Sequence, residues 1–177
     1  VEQTLAGLGG TKRYFKNTIN YETFYPIRDD IVGSLGINQG FIVGIGKDVG
    51  IGDRFFLGGN NFRGFGPAGV GPRDKASGDA LGGNVFYVGT AEVRFPIGFP
   101  PELGVSGVAF TQAGSLAKID DARTAPLFDV GSMRLSSGIG FAWKSPFGPF
   151  RIDYAKALRK ETLDRTQNVF FSFGTRF

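Results

Sequence analysis

Cysteine and histidine are both absent from the 177 residues, which removes disulfides, thiolate nucleophiles, imidazole bases and the usual zinc ligands together. Methionine occurs once, at Met133, and tryptophan once, at Trp143. The longest purely apolar stretches lie around Phe41–Val43 and Val108–Phe110, far below the ~20 residues of a membrane-spanning helix. The chain opens at Val1 with no basic segment leading into an apolar one, and so reads as a processed or truncated product. Lys and Arg exceed Asp and Glu by 20 to 16, but the charges are interspersed and form no dense basic block, so nucleic acid is not an expected partner. Two acidic pairs, Asp29-Asp30 and Asp120-Asp121, sit in predicted loops without neighbours suited to acid–base work. No metal ligand set and no cofactor is expected, and the chain is not expected to be an enzyme.

What is present has a marked pattern. Glycine accounts for 29 residues, well above the ~7% of ordinary proteins, alongside 19 Phe, 5 Tyr and 1 Trp. That aromatic content excludes disorder, while a mean hydropathy of -0.04 excludes a bundle of membrane helices. The length suits one domain over residues 1–177. All nine prolines fall between apolar runs that alternate with a period of two, the signature of β-strands. In the run from Met133 to Trp143, the residues Met133, Leu135, Ser137, Ile139, Phe141 and Trp143 share one face, and Arg134, Ser136, Gly138, Gly140 and Ala142 the other.

The alternation predicts about eight strands, over residues 1–7, 15–25, 31–45, 84–95, 104–113, 132–144, 150–157 and 167–177. Several have the ~9–11 residues needed to cross a bilayer obliquely. Connections alternate between short (Pro26–Asp30, Pro96–Leu103, Ser145–Pro149) and long (Gly46–Gly83, Gly114–Gly131, Leu158–Thr166). Short turns on one rim and long loops on the other are the outer-membrane barrel pattern, with the short turns periplasmic. The aromatics Tyr25, Phe95, Trp143 and Phe150 lie near the short-turn rim, where an interfacial girdle belongs. The opposite strand faces carry Glu22, Glu92, Arg94, Arg134, Arg151, Asp153 and Arg176, charges that a narrow lumen could pair. These features favour an all-β, antiparallel transmembrane barrel over a soluble sandwich with the same aromatics in its core.

The segment Gly64-Phe-Gly-Pro-Ala-Gly69 matches the spacing of a dinucleotide loop, but it neither ends a βα unit nor opens a helix, and Pro67 and Pro72 argue for irregular loop. The wider segment Phe55-Phe-Leu-Gly-Gly-Asn-Asn-Phe-Arg-Gly-Phe65 resembles the sixth-loop signature of the BamA-type outer-membrane protein assembly factor superfamily, also called bacterial surface antigens, whose hallmark is Arg-Gly-Phe/Tyr. Arg63, Gly64 and Phe65 match it. The resemblance continues through Gly82-Gly-Asn84, Glu92-Val-Arg-Phe-Pro96, Trp143-Lys-Ser-Pro-Phe-Gly-Pro149 and Phe171-Ser-Phe-Gly-Thr-Arg-Phe177. It covers essentially the whole chain and corresponds to the last eight strands of that family's sixteen-stranded barrel, without its first eight or its periplasmic polypeptide-transport-associated (POTRA) domains.

The resemblance implies a role in folding and inserting outer-membrane proteins, through a weak strand seam and membrane thinning that template incoming strands. It implies the bacterial outer membrane as location, and the bilayer with its lipopolysaccharide and phospholipid as surroundings. The outer-membrane assembly machinery is an implied partner during biogenesis, engaged by the terminal signal Phe171, Phe173 and Phe177. It implies that the loop arginine pairs with acids of the inner wall. Glu92 matches one of these, whereas Gln112 stands where the family pattern predicts Asp, which weakens the anchor. Lacking the capture domains and the gate strand, the chain is not expected to act as an insertase by itself. The alternative role is that of a small structural or anchoring barrel derived from the family. Pairing of the first strand with the last would give an eight-stranded monomer, with a sixteen-stranded homodimer as the rival. An eight-stranded lumen holds only side chains, so on that expectation the loop at 46–83 caps the barrel or lies outside it.

Overall fold

A computed structural model describes residues 1–6, 12–117 and 133–174. Eight antiparallel strands form one sheet in sequence order: β1 (Glu2–Ala6), β2 (Tyr14–Arg28), β3 (Ile31–Gly44), β4 (Val85–Phe95), β5 (Val105–Ala117), β6 (Arg134–Ser145), β7 (Gly148–Arg159) and β8 (Val169–Phe173). The six central strands have 11 to 15 residues, long enough to cross a bilayer at a tilt. The two edge strands have 5 each. The expected alternation of connections is observed, with tight turns at 29–30 and 146–147 and a compact 3-10 turn, Pro101–Leu103, between β4 and β5.

Period-two alternation sets the two faces. Along β6, Arg134, Ser136 and Ala142 are buried on the concave side, while Ile139 and Trp143 point outward. The register carries the same division across the sheet: Glu92 lies opposite Phe110, Phe110 opposite Gly138, and Gly140 opposite Asp153. The outer face exposes Leu35, Ile37, Phe41, Val43, Tyr87, Ile139, Tyr154, Val169 and Phe171. Such a continuous apolar surface is costly in water and suited to lipid. Tyr25 and Trp143 are exposed at the short-turn end and Phe95 and Phe150 partly so, with the Trp143 indole N–H donating to the Leu103 carbonyl (3.0 Å), as a rim aromatic with an apolar body and a polar tip should.

Closure within one chain is not observed. Among the described residues, β1 pairs with β2 alone and β8 with β7 alone, so the sheet is an open, curved wall with two free edges. That corrects the expected position of the loop at 46–83. The limit on space assumed an eight-stranded tube, and an open wall leaves its concave face free to receive the loop.

Candidate functional site

The connection from β3 to β4 folds back on itself through antiparallel bridges Phe55 to Gly83, Leu57 to Val70 and Arg73 to Ala80. A further bridge, Phe65 to Thr166, ties it to the β7–β8 connection. The Gly66 N–H donates to the Arg165 carbonyl (2.8 Å) and the Arg165 N–H to that of Gly69 (2.9 Å). At the loop tip the Asp74 carboxylate accepts from the backbone N–H groups of Ser77 (2.9 Å) and Ala76 (2.8 Å), which hold its pKa below the ordinary carboxylate range. The loop is therefore internally braced. No dinucleotide-type turn forms at Gly64–Gly69, since no helix follows it.

The loop packs on the wall through a shared apolar core. Phe62 and Phe65 are fully buried with ring centroids 4.8 Å apart, and cluster with Leu57 and Val70 of the loop and Phe86, Val88 and Leu116 of the wall. Gly64 between them has φ +95, and a Cβ there would stand 2.8 Å from the Ser136 Cβ and 3.3 Å from the Ala157 N. The close approach and the left-handed backbone together require glycine. Arg-Gly-Phe is thus a local device: the glycine lets backbone touch wall, the phenylalanine fills the core, and the arginine is turned into the concavity.

Arg63 is 8% exposed. Its backbone N–H and its Nε both donate to the Gln112 Oε1 (2.9 and 3.1 Å), and Nη1 donates to Asp153 Oδ2 (3.1 Å) and Glu92 Oε2 (3.5 Å). Its guanidinium carbon lies 3.6 Å from the Phe110 ring centroid, a cation–π contact. The Gln112 amide donates in turn to Thr90 Oγ1 (3.0 Å). Arg151 completes the group, its Nη atoms donating to both Glu92 oxygens (3.0 and 2.9 Å) and its Nε to both Asp153 oxygens (2.9 and 2.8 Å). Beside it, Val108, Phe110, Ala142, Ala155 and Phe170 form a second apolar cluster.

The structure thus brings Arg63, Glu92 and Gln112 together as the sequence suggested. It adds Asp153, recognised from the alternation as an inner-wall charge but not as a partner of Arg63. A second buried pair escaped the sequence reading: Arg134 Nε and Nη2 donate to Asp164 Oδ2 and Oδ1 (3.0 and 3.2 Å), joining β6 to the β7–β8 connection. Asp164 carried no signal of its own, being one polar residue in a polar loop. Phe171 and Phe173 stand exposed on the outer face of β8. Phe177, Arg176 and the Asp120-Asp121 pair lie outside the described residues.

Comparisons with known proteins agree with this geometry. The family described as the Omp85 superfamily domain matches residues 1–177. The outer membrane protein assembly factor BamA of Neorickettsia risticii is 39% identical over 174 residues, covering 97% of this chain and 23% of that protein. BamA of Neisseria meningitidis serogroup B is 28% identical over 203 residues, covering 100% of this chain and 26% of that protein. The chain spans about a quarter of the length of these curated relatives. The crystal structure of BamA from Haemophilus ducreyi lacking POTRA domains 1-3 superimposes with a TM-score of 0.82 at 24% identity, over 94% of this chain and 36% of that one, which establishes the fold. With the family match running from Val1 to Phe177, this chain belongs to the Omp85 superfamily and is a stretch of outer-membrane β-barrel.

Proposed function

We propose that this chain supplies the C-terminal strands of a barrel that folds and inserts other outer-membrane proteins, with the loop at 54–83 held on its inner wall. The observation that carries the reading is Arg63, buried against Glu92, Asp153 and Gln112 in a chain of this family. Buried ion pairs contribute little net stability, yet breaking one is costly, so such a group serves better to fix one arrangement than to add stability. A fixed loop braces β4–β7. In this account the role is non-enzymatic, the lipid-facing aromatics seat the wall in the bilayer, and the exposed β8 strand engages the assembly machinery by strand addition.

A small self-contained anchoring barrel would need β1 to pair with β8, and among the described residues it does not. The chain is further proposed not to act as an insertase alone, because an open wall offers strand edges without a means of capturing clients. Depletion of the protein that carries this chain tests the function. Folded, heat-modifiable outer-membrane β-barrels are expected to fall while inner-membrane proteins are maintained, and unchanged levels of folded barrels would contradict the reading.

A further inference from the structure

We infer that Asp153, rather than residue 112, supplies the second negative charge that holds the docked loop, and that Arg151 positions its carboxylate. The inference rests on the reading of residues 54–83 as a docked loop and is independent of any assembly activity. The charge balance carries it. Two buried guanidinium groups, Arg63 and Arg151, face two buried carboxylates, Glu92 and Asp153, so the buried charges balance, while the more exposed Arg94 reaches Glu92 from the side at 3.8 Å. Gln112 binds the loop without charge, through one carbonyl oxygen that accepts from both the Arg63 backbone and its Nε. Of the two carboxylates, that of Asp153 is nearer to Arg63, at 3.1 against 3.5 Å.

The wall is shaped for this carboxylate. Asp153 is 2% exposed and pairs in register with Gly140, where a Cβ would lie 1.9 Å from Asp153 Oδ1, so the glycine leaves the space that the carboxylate fills. Arg151, two residues earlier on the same face, grips both of its oxygens through Nε. Without Asp153, the two buried guanidinium groups would have to share Glu92 with each other and with Arg94, leaving a buried charge uncompensated. Positions 112 and 153 touch the same guanidinium from neighbouring directions, so a carboxylate at either should balance it. Gln112→Glu keeps the side-chain length and the accepting oxygen, and the Thr90 hydroxyl can turn to donate.

The test uses the intact protein in membranes and follows tryptic cleavage after Arg63 by mass spectrometry, since a buried arginine is cut only when the loop leaves the wall. Asp153→Asn is expected to raise the cleavage rate roughly tenfold or more. Gln112→Glu in that background is expected to return it to within about threefold of the parent, while Gln112→Glu alone, which adds an unneeded charge, should not slow cleavage. Should Asp153→Asn fail to fold, recovery of the heat-modifiable band in the double variant supports the inference. Unchanged cleavage in Asp153→Asn, or a double variant no better than the single one, would overturn it. Impaired client assembly bears on the proposed function alone, because the cleavage readout reports docking without it.

Discussion

The two halves of the concave wall are built from the same alternating strands and have different fates. Under β4–β7 the loop covers the surface, and Phe86, Val88, Gln112, Leu116, Arg134, Ser136, Asp153 and Ala155 are all buried. Under β2–β3 the loop reaches the end near Lys16 and Gly40, and among the described residues none covers the stretch around Glu22 and Phe24. Asn20, Glu22 and Phe24 remain exposed and line a cavity of about 360 Å³ that ends against Arg63 and Arg151. Strand formation alone therefore does not bury the inner face. Docking of the loop does, and the buried ion pairs among the described residues lie where it docks. The covered half behaves as a protein core with charges in it, the open half as a solvated surface.

Substitutions should separate the halves. The largest effect is expected from Arg63→Ala, which leaves Asp153 with Arg151, and Glu92 with Arg151 and the more exposed Arg94. Removing one partner from a buried ionic group costs about 3–5 kcal/mol, measurable as a lower urea midpoint for the heat-modifiable form. Gly64→Ala follows, with about 1–3 kcal/mol from backbone strain at positive φ alone and an added clash with Ser136. Its mark should be increased protease access to residues 54–83 with the strand content of the circular dichroism spectrum maintained. At the small end, Glu22→Gln on the uncovered wall should shift the urea midpoint by the equivalent of no more than about 0.5 kcal/mol. A large effect there would mean that the open half is covered too.

The sequence made the strands legible because alternation is local. Once Arg134, Ser136 and Ala142 are placed opposite Ile139 and Trp143, burial of the first set follows from which side faces the lumen. It also indicated the arginine and two of its contacts, Glu92 and Gln112, through the resemblance around Arg63-Gly-Phe65. It did not indicate the path of the loop. That path depends on whether the wall closes, and closure is decided by pairings between strands at opposite ends of the chain. The same limit hid the link between Arg63 and Asp153, which are 90 residues apart. It also hid the Arg134 to Asp164 pair, for which the loop residue had no periodic pattern to mark it. Within the described residues β1 begins at Glu2 and β8 at Val169, one and two residues later than the alternation suggested, while residues 7 and 175–177 of those expected strands lie outside the described residues.

A double-mutant cycle tests most directly whether the loop is held on the wall by its arginine. One arm is Arg63→Ala, the other neutralises the wall through Glu92→Gln and Asp153→Asn together, and the readout is unfolding free energy in detergent or lipid. A loop docked through these groups predicts a coupling of about 1–3 kcal/mol between the arms. Effects that add to within about 0.5 kcal/mol would contradict it, since groups without contact are additive to that level.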